Sequence, residues 1–338
     1  MIRPAPLRTL GGMAVRSPAP AVPGSPVRLA RTPGRPWPVP QADVRAFLRA
    51  RVRPGTWRLQ VPAHGFSAGG CVLARHADGG AVAVRLGLDA APVRVLAAAG
   101  LTPPLLAAGR RHGTLMHAQM LAEGRHPDGA WYAAHLSDVA TLLRRLTELT
   151  PLRELLPAPA DQGYAAALGR YHRACAAILE RVPAGAAYRP AVETLLEELT
   201  PRIDAVGGTG LVPVHGDPND GNLLVTADGP VLLDWETLHL SDPVHDLAQV
   251  LWWGVPRARW PAGLATFGLP ADDRDVIERL HLHAALRALY VFLLFERAGG
   301  APFPNRFLDD AQHAAAGRGP RTFLLGGERP APDERTAP

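Results

Sequence analysis

The chain has 338 residues, of which 47% are hydrophobic, so it can bury a large core, and its length favours two lobes or domains. Its net charge is +5, and every basic side chain is arginine, within a composition rich in Ala, Gly, Pro and Arg. This composition is typical of GC-rich coding, and no clustered basic and aromatic repeats indicate nucleic-acid binding. No apolar run reaches the roughly 20 residues of a membrane span.

The two ends of the chain differ in composition from the middle. Residues 1–40 and 316–338 are rich in Pro, Arg, Ala and Gly, which predicts disordered tails. Residues 41–122 predict a small β-rich lobe, and residues 123–315 predict a larger, mainly helical lobe. The two widely spaced cysteines carry no metal-ligand spacing, and we expect reduced thiols in a cytoplasmic protein without a secretory signal.

Short apolar runs separated by turn residues characterise the first lobe. Residues 71–75, 81–86 and 115–121 predict strands, and residues 90–99 predict a helix. From residue 133 onward, leucine and valine recur at helical spacing, so helices are predicted to dominate the second lobe.

The most informative segment of the chain begins at His215 and ends at Asp234. It places Asp217 in a loop after an apolar run, Asn222 five residues later, and Asp234 where a second apolar strand ends. Phosphoryl transfer requires a carboxylate beside the attacking hydroxyl, and hard oxygen ligands that hold Mg²⁺. We therefore expect Asp217 to meet the hydroxyl, and Asn222 and Asp234 to hold the metal.

This segment is part of a longer motif that extends over about thirty-five residues. Its members are His215, Asp217, Asn222, Asp234-Trp235-Glu236, Asp242-Pro243 and Asp246-Leu247-Ala248. The pattern resembles the phosphotransferase family that includes aminoglycoside phosphotransferases and choline-kinase-like enzymes. The resemblance implies an α+β, two-lobed protein-kinase-like fold that uses ATP and Mg²⁺.

The same resemblance implies a role for each residue of the motif. Asp217 is the catalytic base or the group that orients the hydroxyl, and Asn222 and Asp234 are the Mg²⁺ ligands. Asp246 braces the catalytic loop. His215 either holds that loop through a hydrogen bond or takes part in catalysis.

The resemblance also assigns the nucleotide-holding lobe. Gly65, Phe66 and Ser67 lie in a glycine-rich turn whose backbone N–H groups would approach phosphates. Arg85, on the third strand, would hold the phosphates, unless it is a surface residue of an edge strand.

The hinge and the partner of this cation complete the nucleotide site. Met120 and Ala122 lie in a segment that resembles the hinge between lobes, where backbone groups meet the adenine. The family has a helix glutamate that pairs with the phosphate-holding cation, and this chain lacks it. Asp89 either replaces that glutamate beside Arg85 or caps the following helix, with Pro92 in its first turn.

The span between Asp234 and Asp242 contains only seven residues. Protein kinases carry a long segment there that binds peptide, so we expect a small-molecule hydroxyl acceptor. The acceptor pocket should come from the helices after this span, which show no net acidic bias. Aminoglycoside-, choline- and sugar-like acceptors therefore all stay open.

Aromatic and acidic residues after the motif are candidates for the acceptor pocket. Trp252, Trp253 and Trp260 either line this pocket or belong to the core. Glu278 or Glu296 could contact a cationic acceptor.

Three hypotheses about function follow. The first is an ATP·Mg-dependent small-molecule O-phosphotransferase with no obligate protein partner and no membrane association. The second is a catalytically idle kinase-like protein that binds a ligand or partner, which the missing helix glutamate favours. The third is nucleic-acid binding through the arginine-rich first forty residues. The intact base and both metal ligands favour the first.

Overall fold

The computed structural model describes residues 39–62, 70–297 and 304–320. The glycine-rich turn with Gly65, Phe66 and Ser67 lies outside the described residues, as do residues 1–38 and 321–338 of the predicted tails. None of the helices in the described part of the chain has the length and apolarity that crossing a membrane requires.

The first lobe is a five-stranded antiparallel sheet with two helices, and its strands lie in the order β1-β2-β3-β5-β4. Its elements are α1 (Gln41–Arg51), β1 (Trp57–Gln60), β2 (Cys71–His76), β3 (Ala81–Leu86), α2 (Ala90–Ala98), β4 (Leu105–Arg111) and β5 (Thr114–Met120). The structure confirms the three predicted strands as β2, β3 and β5 and the predicted helix as α2, and it adds α1, β1 and β4.

The two faces of this sheet have different surroundings because side chains alternate along each strand. One face packs against α1, where Val44, Phe47 and Leu48 meet Val72 and Val84 in an apolar core. The opposite face carries polar residues that stand side by side. In the strand register, Arg85 on β3 lies opposite Cys71 on β2 and His117 on β5.

Helix α2 links the sheet to the second lobe. It ends at Ala98, two residues before Gly100, whose φ of 68° suits glycine. Leu101 N–H donates back to Leu96 O at 3.0 Å. Leu96 and Leu101 belong to the core of the large lobe rather than to that of the sheet.

The second lobe is mainly helical, with short strand pairs that carry the loops between them. Its helices are α3 (Gly129–Thr147), α4 (Thr150–Leu155), α5 (Tyr164–Leu179), α6 (Arg189–Asp204), α7 (Val244–Gly254), α8 (Trp260–Phe267), α9 (Arg274–Arg297) and α10 (Pro304–Ala315). Its strands are β6 (Val212–Val214), β7 (Leu223–Thr226), β8 (Gly229–Leu232) and β9 (His239–Ser241), paired as β6 with β9 and β7 with β8. One-turn 3₁₀ helices lie at Asp220–Asn222, Trp235–Thr237 and Arg257–Arg259.

The core of the large lobe includes the three tryptophans that were candidates for the acceptor pocket. Trp252 is fully buried, and Trp253 Nε1 donates to Asp310 at 3.2 Å. Trp260 Nε1 donates to Leu251 O at 2.9 Å, as buried indoles usually find a partner. The pocket interpretation of these residues is therefore wrong: they pack the interior, and they cannot surround a bound cation.

Candidate active site

The loop after β6 is tied to helix α7 through one carboxylate. Asp246, in the first turn of α7, accepts the N–H of His215 at 2.6 Å and that of Gly216 at 2.9 Å. Burial raises the pKa of Asp246 to about 7, against the lowering effect of these two bonds. These contacts give Asp246 the geometry of a residue that braces the loop.

Gly216 is required at its position by space as well as by conformation. Its φ is 86°, and a Cβ there would lie 2.6 Å from Thr237 O. The loop therefore passes directly against the chain that leads into β9.

His215 makes the contacts of a residue that holds the loop. Its Nε2 donates to Leu233 O at 2.7 Å, and its Nδ1 accepts the N–H of Asp217 at 3.2 Å. Burial lowers the pKa of His215, so the ring is neutral, with its proton on Nε2. Both ring nitrogens are thus used by backbone, which favours the loop-holding role over a catalytic one.

Asp217 is partly exposed, and both contacts of its carboxylate fall on one oxygen. Oδ1 accepts from Asn219 Nδ2 at 2.9 Å and lies 2.5 Å from Nη2 of Arg287 on α9. Within the described part of the chain, no hydrogen bond reaches Oδ2. One oxygen is therefore anchored while the other can face a hydroxyl.

The two candidate metal ligands lie on either side of this loop. Asn222 Nδ2 donates to Asp217 O at 2.9 Å, which leaves the amide oxygen available. Leu233 N–H donates to Asn222 O at 2.8 Å, so the backbone before Asp234 is joined to Asn222. Asp234 follows in a left-handed conformation, with φ 62° and ψ 69°.

Oxygen donors of this kind fit a magnesium ion. Asp234 and Asn222 offer a carboxylate and an amide oxygen, and Mg²⁺ in proteins usually takes one or two such groups plus phosphates. No group of three or more His, Cys, Asp or Glu among the described residues is placed to hold a metal by itself. The donor set thus suits a metal that arrives with phosphates.

Arg85 reaches across the two lobes to Asp234. Its Nη1 lies 3.2 Å from Asp234 Oδ1, and its side chain is 15% exposed, so it is not a surface residue of an edge strand. The carboxylate of Asp89 accepts Ala91 N–H at 3.0 Å and caps α2. The structure therefore favours the helix-capping alternative for Asp89 over an ion pair with Arg85.

A second carboxylate near Arg85 was not singled out from the sequence. Glu236 lies so close to Gly70 that a Cβ there would overlap its Oε1. Burial raises the pKa of Glu236, Asp234 raises it further, and Arg85 lowers it. The Asp-Trp-Glu triplet of the motif was the available signal.

The hinge candidates lie at the end of β5. Met120 N–H donates to Pro104 O at 2.9 Å, and Leu121 N–H donates to Ala81 O at 3.1 Å, so both serve the sheet. Among the described residues, the N–H of Ala122 has no backbone partner. This donor is free to meet a nucleobase.

Helix α9 contributes Arg287, the residue beside Asp217 that sequence reasoning missed. Its signal was a single cation inside the apolar stretch 286–295. The two acidic candidates for the acceptor pocket have other neighbours: Glu278 pairs with Arg202 at 2.7 Å, and Glu296 lies close to Tyr188, whose hydroxyl has a pKa raised by burial and further by Glu296.

This fold and this cluster define a two-lobed phosphotransferase of the protein-kinase-like type. A family model described as "Phosphotransferase enzyme family" matches residues 65–280, which is more than half of the chain. The chain belongs to this phosphotransferase enzyme family, and its general activity is that of a small-molecule phosphotransferase.

Solved structures with the same fold include kinases and phosphotransferases of small molecules. Choline kinase LicA from Streptococcus pneumoniae is 14% identical, with a TM-score of 0.59, over 82% of this chain and 98% of that one. LicA has also been solved with AMP. A choline/ethanolamine kinase family protein from Mesorhizobium loti is 19% identical, with a TM-score of 0.55, over 82% and 92% of the two chains.

A third structural neighbour is macrolide 2'-phosphotransferase MphH from Brachybacterium faecium. It is 18% identical, with a TM-score of 0.51, over 86% of this chain and 100% of that one. At these low identities the neighbours show the fold alone. The substrate of this chain has to be inferred from its own residues.

Proposed function

We propose that the protein transfers the γ-phosphoryl group of ATP, with Mg²⁺, to a hydroxyl of a small molecule. The main support for this proposal is a pair of hydrogen bonds that connect the backbone around Asp217, Asn222 and Asp234. Asn222 bonds to the Asp217 carbonyl, and the chain before Asp234 bonds to Asn222. These bonds hold the backbone of three residues that are separate in sequence close together, which supports a shared site.

Asp217 would act as the base or the group that orients the acceptor hydroxyl. Its Oδ1 is anchored by Asn219 and Arg287, so its Oδ2 can meet the hydroxyl proton without a change of rotamer. His215 and Asp246 would hold this geometry through the loop backbone.

Asn222 and Asp234 would hold the metal, and Arg85 would hold the phosphates. The nucleotide with Mg²⁺ supplies the phosphoryl group and neutralises the charge on its oxygens. For this to happen, Arg85 must exchange its contact with Asp234 for contacts with phosphate, for which its planar guanidinium is well suited.

We propose that residues 41–122 form the nucleotide-holding lobe and residues 123–315 the catalytic and acceptor-binding lobe. Met120 and Ala122 would meet the nucleobase at the boundary between them. AMP in the complex with LicA, a protein of the same fold, supports a nucleotide site. Gly65, Phe66 and Ser67 remain a prediction from sequence.

The small-molecule acceptor is supported by the short span after Asp234. That span holds one 3₁₀ turn and β9, and β9 pairs directly with β6. Such a compact connection offers no extended segment to which a peptide could align. Choline and macrolides are the acceptors named for two structural neighbours, and they belong in the first screen.

The test is a screen of hydroxyl-bearing acceptors with Mg-ATP, read as phosphorylated product by mass spectrometry. We expect at least one acceptor to gain a phosphoryl group, and we expect the gain to disappear when EDTA removes Mg²⁺. Nucleotide binding without transfer, and without ATP hydrolysis that depends on Asp217, would instead support the idle kinase-like alternative.

A further inference from the structure

Arg287 is the cation closest to the candidate base. It projects from α9, with a side chain only 13% exposed, and its Nη2 lies 2.5 Å from Asp217 Oδ1. Its guanidinium carbon stands 6.0 Å from the centre of the Tyr290 ring, one turn further along the helix. A nearly buried arginine therefore forms one wall of the place where the acceptor hydroxyl must lie.

Most of the donors of this guanidinium have no partner. An arginine offers five N–H groups, yet Arg287 is paired only with Asp217 among the described residues. No nitrogen of Arg287 is among the fully buried unpaired side-chain atoms of the described residues, so solvent and ligands can reach its open donors. The open donors of Arg287 therefore favour a further anionic group from outside the chain.

Aromatic rings pack between Arg287 and the loop that carries Asp217. The Tyr171 ring on α5 stands 6.0 Å from the Tyr290 ring and 6.0 Å from the His239 ring. The His239 ring in turn lies 3.2 Å from the position of a Cβ on Gly216, directly beside the catalytic loop. This side of the site thus combines rings with one cation.

Among the described residues, two carboxylates lie near this cation: Asp217 pairs with it directly, and buried Asp246 interacts with it electrostatically. Asp217 is the only carboxylate of the described residues that pairs with Arg287, and Asp246 lies buried beneath the loop with both oxygens used. Glu278 and Glu296, the acidic residues of α9 that could have attracted a cation, have other neighbours. A cationic acceptor would meet repulsion from Arg287 in a poorly solvated site.

We propose that the acceptor carries a carboxylate or phosphate a few bonds from its reactive hydroxyl, and that Arg287 binds this anion. The proposal rests on the phosphotransferase function proposed above and specifies its substrate class. Arg287 keeps its contact with Asp217 through Nη2, and its other N–H groups bind the two oxygens of the anion side by side. The anion places the hydroxyl at Asp217 Oδ2.

The test uses acceptors matched in their carbon skeleton and different in charge. Glycerate and gluconate are the carboxylate arm, glycerol 3-phosphate is the phosphate arm, glycerol and glucose are neutral, and choline is cationic. With Mg-ATP, we expect kcat/KM for an anionic acceptor to exceed that of its neutral counterpart by at least about tenfold. The two anionic arms distinguish a carboxylate acceptor from a phosphate acceptor.

Variants of Arg287 connect this preference to the arginine. Arg287→Met keeps the apolar stem but also removes one anchor of Asp217, so all acceptors should lose some activity. We expect kcat/KM for anionic acceptors to fall at least about tenfold more than for neutral ones, mainly through KM. Arg287→Lys keeps the charge and should restore part of the loss. Arg297→Met, at the exposed end of the same helix, is the matched control and should leave all acceptors unchanged.

Two results would overturn the inference while leaving the phosphotransferase function intact. One is a neutral or cationic acceptor that outperforms every anionic one. The other is an equal loss of kcat/KM for all acceptors in Arg287→Met, because a cation that serves only the base or the transferred group does not distinguish acceptor charge. If no acceptor is phosphorylated and no ATP hydrolysis depends on Asp217, the function and this inference fail together.

Discussion

The catalytic loop and the nucleotide-facing side of the sheet are held in different ways. In the loop, Asp246 and His215 use their polar atoms on backbone groups a short distance away. On the sheet, Arg85 is held by Asp234, which lies 149 positions later in the chain, through a contact of 3.2 Å between the two lobes. The loop is thus built before any ligand binds, whereas the sheet side keeps a charge pair that a nucleotide must rearrange.

This difference predicts that the loop residues govern stability and the sheet residues govern binding. Buried groups whose partners are lost leave unsatisfied donors, which cost more than the loss of a partly exposed ion pair. The predictions below separate the two regions, beginning with the largest effect.

Removal of the loop brace should have the largest effect. Asp246→Ala leaves the N–H groups of His215 and Gly216 without an acceptor in a buried place. We expect the free energy of unfolding to fall by about 3–5 kcal/mol, measured by urea unfolding. Asp309→Asn, at an exposed position of α10, should change it by less than about 0.5 kcal/mol. Equal effects of the two would contradict the brace.

Acid should destabilise the protein through its buried histidines. Burial is the main cause of a lowered pKa in five of them. The pKa falls to about 4 for His117, His239 and His281, and burial also lowers it for His215 and His245. The unfolded chain takes up protons below about pH 6.5, and the folded chain does so only near pH 4, so stability falls as pH falls through this window.

Three carboxyl groups oppose the acid effect, because burial raises the pKa of Asp220 and Glu236 and raises that of Asp246 to about 7. Asp246 has a raised pKa, so its contribution is present at low pH and is lost as pH rises towards 7. Each histidine with a pKa near 4 contributes about 2 kcal/mol between pH 7 and 5, and Asp246 offsets about one of them. We expect a lower melting temperature at pH 5 than at pH 7, with a shallower dependence in His281→Leu. A melting temperature that is constant or rises on acidification would contradict this.

On the nucleotide-facing side of the sheet, a substitution should affect Mg-ATP binding strongly and stability less than in the loop. Arg85→Met removes one partner of a pair whose side chains are only 15% and 21% exposed, so stability should fall by about 1–2 kcal/mol, less than in Asp246→Ala. Mg-ATP affinity should nevertheless fall at least about tenfold in isothermal titration, because the phosphate-holding cation is gone. Arg58→Met, at an exposed position of β1, is the matched control. An unchanged affinity would remove Arg85 from the nucleotide site.

The smallest effect should come from Asp89. Asp89→Ala removes the N-cap of α2 and should cost about 1 kcal/mol of stability, whereas Asp89→Ser should keep most of it. Mg-ATP affinity should stay the same in both variants, measured by the same titration. A tenfold loss of affinity in Asp89→Ala would restore the ion-pair hypothesis for this residue.

Local signals in the sequence were sufficient for much of the fold. Apolar runs bounded by turn residues predicted β2, β3 and β5, and leucine at helical spacing predicted α3. Strand β4 was missed because its sequence, Leu-Leu-Ala-Ala-Gly-Arg-Arg, has no β-branched or aromatic residue. Helix α1 is short and follows Pro40, so it resembled the end of the proline-rich segment.

The candidate site could be predicted where spacing along the chain determines it. Asp217, Asn222 and Asp234 lie within one segment, and the structure joins them by neighbouring hydrogen bonds. The contact of Arg287 with Asp217 joins positions 70 residues apart, and no local pattern encodes such a pair. The tryptophans after the motif were ambiguous, because aromatic residues at helical spacing suit a core as well as a pocket.

The central claim is that Asp217 serves phosphoryl transfer and not nucleotide binding. The most direct test is Asp217→Asn with Mg-ATP and the acceptor found by the screen, in parallel with titration of Mg-ATP. We expect the rate of transfer to fall by about 10²–10⁴-fold, while Mg-ATP affinity changes by less than about threefold. Transfer at the rate of the unaltered protein would contradict the account.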